Sequence, residues 1–119
     1  NQDLIVSLKA GLPSSEALSE DEVLATVASF AFGPRTLEAA AVALQSYAAL
    51  RRSDLMMLSE EEQALITGRI VEMMPWQATM VRAGLGSIPA TMRALRRAVR
   101  RLVLIADPAL AKRLYVLDP

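Results

Sequence analysis

The sequence predicts an all-α protein, a single compact helical bundle of five or six helices spanning residues 1–119. Apolar residues make up 53% of the chain and include only five aromatics. They are mostly Ala, Leu, Val and Met, a mixture that favours closely packed helices over sheet. Helix-capping and helix-breaking residues stand at nearly every predicted boundary. The length of 119 residues suits one domain.

The first helix is predicted to begin after Ser19. The segment Ser19-Glu20-Asp21-Glu22 is a capping box, in which the first and last side chains each accept a backbone amide of the other. The apolar residues that follow share one helical face; they are Val23, Val27, Phe30 and Ala31. Gly33-Pro34 is expected to end this helix and to start the next.

The second helix is predicted over Arg35 to Arg52. Four of its apolar residues recur at steps of four, three and four, which places them on one face; they are Leu37, Ala41, Leu44 and Ala48. Additional alanines keep the remaining surface small, so that another helix can approach closely. We therefore expect this helix to lie at the centre of the packing.

The third helix is predicted to follow an apolar linker. Ser53-Asp54 breaks the second helix, Leu55-Met56-Met57-Leu58 forms the linker, and a second capping box, Ser59-Glu60-Glu61-Glu62, opens the third helix. Pro75 is expected to end or kink it, because proline lacks the amide that would bond back to Val71. The buried line of this helix is predicted to comprise Leu65 or Ile66, Ile70, Met73 and Met74.

Two further helices are predicted, with a short third one behind them. Trp76 to Ala83 is one helical piece, and Gly84-Leu85-Gly86 is the clearest flexible break in the chain. Ser87 is expected to cap a long helix from Ile88 to Ala106. Asp107-Pro108 then supplies an N-cap and a first-turn proline for a short last helix.

The predicted helix over residues 88–106 has a basic face. Five of the thirteen cationic residues of the chain recur there at three- and four-residue steps; they are Arg93, Arg96, Arg97, Arg100 and Arg101. Apolar residues form the opposite stripe, and these are Met92, Leu95, Val99, Leu102, Val103 and Ala106. Such a helix serves phosphate contact, a membrane surface, an acidic protein partner or a solvated face of a bundle.

Charge is divided between the two parts of the chain. Residues 1–72 carry eleven acids and five bases, a balance of −6, whereas residues 73–119 carry two acids and eight bases, a balance of +6. Zero net charge argues against non-specific nucleic-acid binding as the main role, because phosphate-binding proteins usually keep a positive field. We expect the acidic part to complement the arginines, within one chain or between two copies.

The composition disfavours most enzyme and membrane classes. Histidine and cysteine are absent, which excludes imidazole catalysis and argues against zinc or redox-metal sites, so we expect no cofactor, no metal and no enzymatic activity. The glutamates Glu60, Glu61 and Glu62 diverge around a helix and cannot converge on one cation. No apolar run approaches the roughly 20 residues that a membrane span requires. Lack of cysteine is compatible with a cytoplasmic location.

Five methionines fall within 25 residues, near the only tryptophan, Trp76. Methionine is flexible and polarizable, so the cluster suits either core filling at helix ends or an apolar groove or subunit interface. Both interpretations stay open. In the second, Trp76 is the natural energetic centre of the contact, and the predicted binding residues are Met73, Met74, Trp76 and Met80 together with the five arginines.

We therefore predict a small regulatory protein-interaction module of the adaptor, anti-activator or secretion-chaperone type. It is expected to bind another protein through the Met- and Trp-containing helical surface, as a homodimer in the cytoplasm. The alternative is a helical DNA-binding transcriptional regulator that uses the arginine-rich helix over residues 88–106.

Overall fold

The computed structural model describes residues 18–110 and 112, and within these the chain is all-α, as predicted. No strand occurs in the described residues. Six α-helices and one π-helical turn follow in chain order: α1 (Glu20–Phe32), α2 (Leu37–Leu50), the single turn α3 (Arg52–Leu55), α4 (Glu60–Leu65), the π turn (Ile66–Val71), α5 (Trp76–Ala83) and α6 (Ile88–Ala106).

Local capping rules place most of the helix starts. Ser19 and Glu22 form the reciprocal capping box, with the Ser19 amide 2.8 Å from the Glu22 carboxylate. Ser59 and Glu62 repeat it at 2.9 Å. Ser87 accepts the Ala90 amide at 3.2 Å and starts α6. These starts, together with the bounds of α5 and α6, agree with the sequence predictions.

The core is centred on α6 rather than on α2, which corrects the expectation from the sequence. The helix α6 packs against α1, α3, α4, α5 and the π turn, whereas α2 packs mainly against α1, α3 and the π turn. Side chains from five elements meet in this core and are almost completely buried; they include Val27, Leu44, Leu65, Ile66, Leu95, Val99, Leu102 and Val103. The outer side of α2 is left uncovered by the described residues.

The predicted apolar linker, Leu55 to Leu58, is confirmed only in part, because Leu55 belongs to α3 while residues 56–58 connect α3 to α4. The second helix ends at Leu50, Arg51 leaves helical geometry, and α3 begins at once. Leu55 and Leu58 are buried, while the two methionines between them are exposed. The end of α3 and the turn after it thus direct the two leucines toward the core and the two methionines toward solvent, a difference that the apolar composition of the run did not show.

The π turn changes the direction in which the following side chains point. The Glu72 amide bonds to the Thr67 carbonyl and the Met74 amide to the Gly68 carbonyl, each at 2.8 Å. These bonds reach further back along the chain than those of an α-helix. The predicted buried line therefore holds through Ile70 and is wrong at Met73, which is 64% exposed.

Met73 ends this helical region in the left-handed conformation. Its φ of 58° is the only positive value among the non-glycine residues that the structure describes. The sequence predicts that Pro75 ends the helix, but the chain leaves the π turn before the proline is reached. Gly84, with φ of 75°, closes α5 in the same conformation at the predicted break.

Asp107 joins the end of α6 to the end of α2. Its amide bonds to the Val103 carbonyl at 2.8 Å, its carboxylate accepts the Tyr47 hydroxyl at 2.7 Å, and the Arg51 guanidinium lies 3.4 Å away. Burial, followed by the hydrogen bond to Asp107, raises the pKa of Tyr47 well above its ordinary range. Residues 108–110 are helical; the rest of the predicted last helix lies largely outside the described residues.

Candidate interaction surface

The arginine stripe of α6 separates into two groups, and the first group belongs to the fold. The Arg96 guanidinium donates to the carbonyls of Phe30, Gly33 and Arg35, the last two at 3.0 and 3.3 Å. It also lies 4.5 Å from the centre of the Phe30 ring. Arg96 therefore holds the end of α1 and its following turn against α6.

Arg100 acts on the same helix end. Its Nε and Nη2 atoms donate to the Ala31 carbonyl at 3.1 and 2.9 Å, and its guanidinium lies 5.1 Å from the centre of the Phe32 ring. The last turn of α1 contains no basic residue of its own. Two cations from α6 therefore complement the carbonyls and the negative dipole end of α1. The expectation that acids complement the stripe is wrong for these two arginines.

The second group faces solvent. Arg93, Arg97 and Arg101 are exposed, one turn apart along α6. Arg101 lies 3.7 Å from the Glu62 carboxylate. Arg93 and Arg97 make no ion pair or hydrogen bond with any residue that the structure describes.

A groove follows α2 where the core leaves this helix uncovered. Its widest hollow, about 490 Å³, lies at the C-terminal end of α2, and a hollow of about 270 Å³ lies beside the middle. A smaller one of about 110 Å³ lies at the N-terminal end, toward α6. The α2 residues that line them lie on one side of the helix; they are Leu37, Glu38, Ala41, Gln45, Ala48 and Ala49, and Arg52 from α3 joins them at the C-terminal end.

The three hollows are neighbours and follow one another along α2. Gln45 lines both of the larger hollows, and its side-chain amide donates to the Ile70 carbonyl at 3.2 Å, forming a bridge from α2 to the π turn. Leu37 and Glu38 line both the middle and the smallest hollow. The groove therefore extends along the whole length of α2.

Exposed apolar side chains border this groove. Met56 from the segment after α3 is 66% exposed, Val71 at the end of the π turn is 50% exposed, and Met73 is 64% exposed. Methionine repacks readily against different partners because its side chain is unbranched and polarizable. We call these three residues the apolar rim.

The four predicted residues around Trp76 have different environments. Met73 lines the middle hollow, and Trp76 lines the smallest, where its ring lies 4.9 Å beneath the Arg69 guanidinium. Met74 is half-buried, and its sulfur packs over Gly68. Met80 is half-buried in α5. The structure thus brings Met73 and Trp76 to one groove, with Arg96 beside them, and leaves the exposed arginines elsewhere.

Sequence reasoning missed several residues of the groove. Glu38 and Arg52 stand at opposite ends, exposed and without an ion pair among the described residues. Val71, at the end of the π turn, is 50% exposed at the rim and was not among the predicted binding residues. The charge of Glu38 and Arg52 was readable in the sequence, but their position on one uncovered stripe depends on which face of α2 the core uses.

The described residues contain no group of three or more acidic residues that could hold a metal ion, and no helix among them is long and apolar enough to cross a membrane. No protein-family model, curated protein or solved structure matches this chain. The groove with its apolar rim and the three exposed arginines of α6 are the two surfaces that geometry and charge single out.

Proposed function

We propose that this chain is a small regulatory protein-interaction module that binds another protein in the groove along α2. The observation that carries the proposal is the apolar rim, Met56, Val71 and Met73, standing exposed around the row of hollows along α2. Contiguous exposed apolar surface is uncommon on monomeric proteins and is typical of sites that contact other proteins. Trp76 at the far end of the groove is the expected energetic centre.

In this proposal the chain covers a surface of its partner or presents the partner to another protein, as an adaptor, an anti-activator or a secretion chaperone does. It acts in the cytoplasm and without catalysis. The absence of histidine and cysteine from the sequence supports a non-enzymatic role. We further propose a homodimer, supported by the uncovered outer side of α2, where Val42 and Leu50 are 44% and 55% exposed.

The test compares two matched valine substitutions. Val71 borders the groove, whereas Val81 on α5 is 68% exposed and lines no hollow described above. In affinity capture from native cytosol followed by mass spectrometry, Val71→Asp should lose the specific partner while Val81→Asp retains it. Both variants should keep helical circular dichroism. Equal capture of the partner by the two variants would show that the groove does not bind it.

A second candidate is nucleic-acid binding through Arg93, Arg97 and Arg101, which are exposed on one face of α6. Since Arg96 and Arg100 are engaged with α1, at most three of the five arginines remain for phosphate. Three phosphate contacts give a slope of about −2.7 in the logarithm of the association constant against the logarithm of salt concentration, compared with about −4.5 for five. Titration of random duplex DNA at several salt concentrations measures this slope. The double variant with Arg93→Glu and Arg97→Glu should abolish the salt-dependent DNA binding.

A further inference from the structure

We propose that the outer face of α2 pairs with the same face of a second copy of this chain, in antiparallel orientation, to form a two-fold symmetric dimer. The inference rests on the protein-interaction function proposed above and names the occupant of the groove in the free protein. The residues of this face alternate at steps of four and three, and they are Glu38, Val42, Gln45, Ala49 and Arg52.

Glu38, Val42, Gln45 and Ala49 form one stripe on α2, because steps of four and three return helical side chains to the same side. Arg52, the first residue of α3, stands at the C-terminal end of this stripe, where it lines the same hollow as Gln45 and Ala49. Val42 is 44% exposed and Gln45 is half-buried, while the other three are exposed. This spacing is the seam by which two helices pack in a coiled coil. The π turn reaches this stripe at Gln45, whose side-chain amide donates to the Ile70 carbonyl, and the side chains on either side of Gln45 stay exposed to a second helix.

The stripe is self-complementary when one copy is reversed. In an antiparallel pair centred on Gln45, Glu38 faces Arg52 of the second copy, and Val42 packs near Ala49 of the second copy. From Glu38 to its end at Leu50, α2 rises by about 18 Å, at about 1.5 Å per residue, and Arg52 follows just beyond that end. One two-fold axis therefore satisfies both ends at once, as a symmetric interface requires.

The charges at the two ends are available for this pairing. The side chains of Glu38 and Arg52 make no ion pair or hydrogen bond with any described residue. The other cations beside the groove are engaged, because Arg69 stacks on Trp76 and Arg96 bonds the carbonyls of α1. Parallel pairing would place Glu38 against Glu38 of the second copy. The charges therefore select the antiparallel orientation.

The apolar rim supplies the remaining contact area. Met56, Val71 and Met73 stand beside the stripe, so a second α2 would cover apolar surface while the terminal charges fix its direction. A partner protein bound against the same rim would displace the second copy. The dimer and the partner complex are therefore mutually exclusive.

The experiment uses two single charge reversals, alone and mixed, with sedimentation velocity at tens of micromolar. In Glu38→Arg both terminal pairs join two cations, and in Arg52→Glu both join two anions. Each variant alone should have a dimer dissociation constant raised by about ten- to a hundredfold, because attraction at both ends is replaced by repulsion. An equimolar mixture should restore a dimer, since the new cation at position 38 of one variant would face the new anion at position 52 of the other.

The control is Arg93→Glu, an equally exposed reversal on α6 that should leave the dimer unchanged. A monomeric wild type, unaltered dimers of the single variants, or a mixture that stays monomeric would each overturn the dimer. Such a result would leave partner capture by wild type and its loss in Val71→Asp unaffected. Failure of the dimer is thus distinguishable from failure of the interaction function.

Discussion

The helices α2 and α6 both carry apolar and charged side chains, but these differ in how far the rest of the described fold buries and bonds them. On α6, two half-buried arginines are engaged with the carbonyls of α1, and the apolar stripe is buried from Leu95 to Val103. On α2, by contrast, Val42 and Leu50 remain exposed, and Arg52, which follows this helix, lacks an ion pair among the described residues. A prominent basic stripe is therefore weaker evidence for a ligand than a modest apolar face whose charges are unpaired.

Removal of Arg96 from α6 should lower the stability of the fold more than any other substitution considered below. Arg96→Ala removes a charged donor from three carbonyls at the end of α1, so we expect a loss of about 3 kcal/mol in the free energy of unfolding. The loss should persist at high salt, because the acceptors are neutral carbonyls that are not screened like an ion pair.

Urea unfolding at low and high salt measures this effect, and Arg93→Ala is the matched control. Arg93 is exposed and has no partner among the described residues, so its loss should change stability by no more than about 0.5 kcal/mol. A salt-dependent loss for Arg96→Ala would indicate instead that acids complement this arginine.

The next effect concerns Trp76, which lies between the core and the groove. Its side chain is half-buried and packs against the hydrophobic core beside Arg69. Trp76→Ala should therefore destabilise the fold by about 2 kcal/mol, less than a fully buried aromatic would. It should also weaken partner capture. Thermal unfolding and capture, measured on the same protein, separate the two contributions; a loss of stability with normal capture would assign Trp76 to the core alone.

Tyr47→Phe tests the contact between α2 and the end of α6. It removes a hydrogen bond to a carboxylate and should cost about 1.5 kcal/mol at neutral pH. Burial raises the pKa of Tyr47 in the folded protein, so the contribution is present below the unfolded value of about 10 and is lost as pH rises above it. The stability difference between wild type and variant should therefore shrink at alkaline pH. A difference independent of pH would contradict the protonated, buried phenol.

The sequence predicted the fold well where local signals and packing agree. The capping boxes at Ser19 and Ser59, the cap at Ser87 and the break at Gly84 each depend on a few neighbouring residues, and each was predicted correctly. The π turn has no comparable local signal, because its extra residue per turn follows from packing. Met73 was therefore assigned to the buried line although it is exposed, whereas Met74 is half-buried.

The candidate site was less predictable for a related reason. Arg96 and Arg100 look equivalent to Arg93 and Arg97 in the sequence, and only the position of α1 separates them. Val71 lies at the rim because α2, the segment around α3 and the π turn together form the hollow beside it. Residue types are local information, but the pairing of one helix end with the side of another is not.

Substitutions at Met73, beside the groove along α2, should change stability least, and they test the backbone conformation of this residue. A non-glycine residue in the left-handed conformation is strained by about 1 kcal/mol, and glycine relieves this strain. Met73→Ala and Met73→Gly remove the same exposed thioether, so their difference isolates the backbone. We expect the glycine variant to be more stable by about 1 kcal/mol. At Val71, which is helical, the order should reverse and alanine should be the more stable by a similar amount. Alanine being more stable at both positions would show that the chain does not turn at Met73 and that the helix continues toward Pro75.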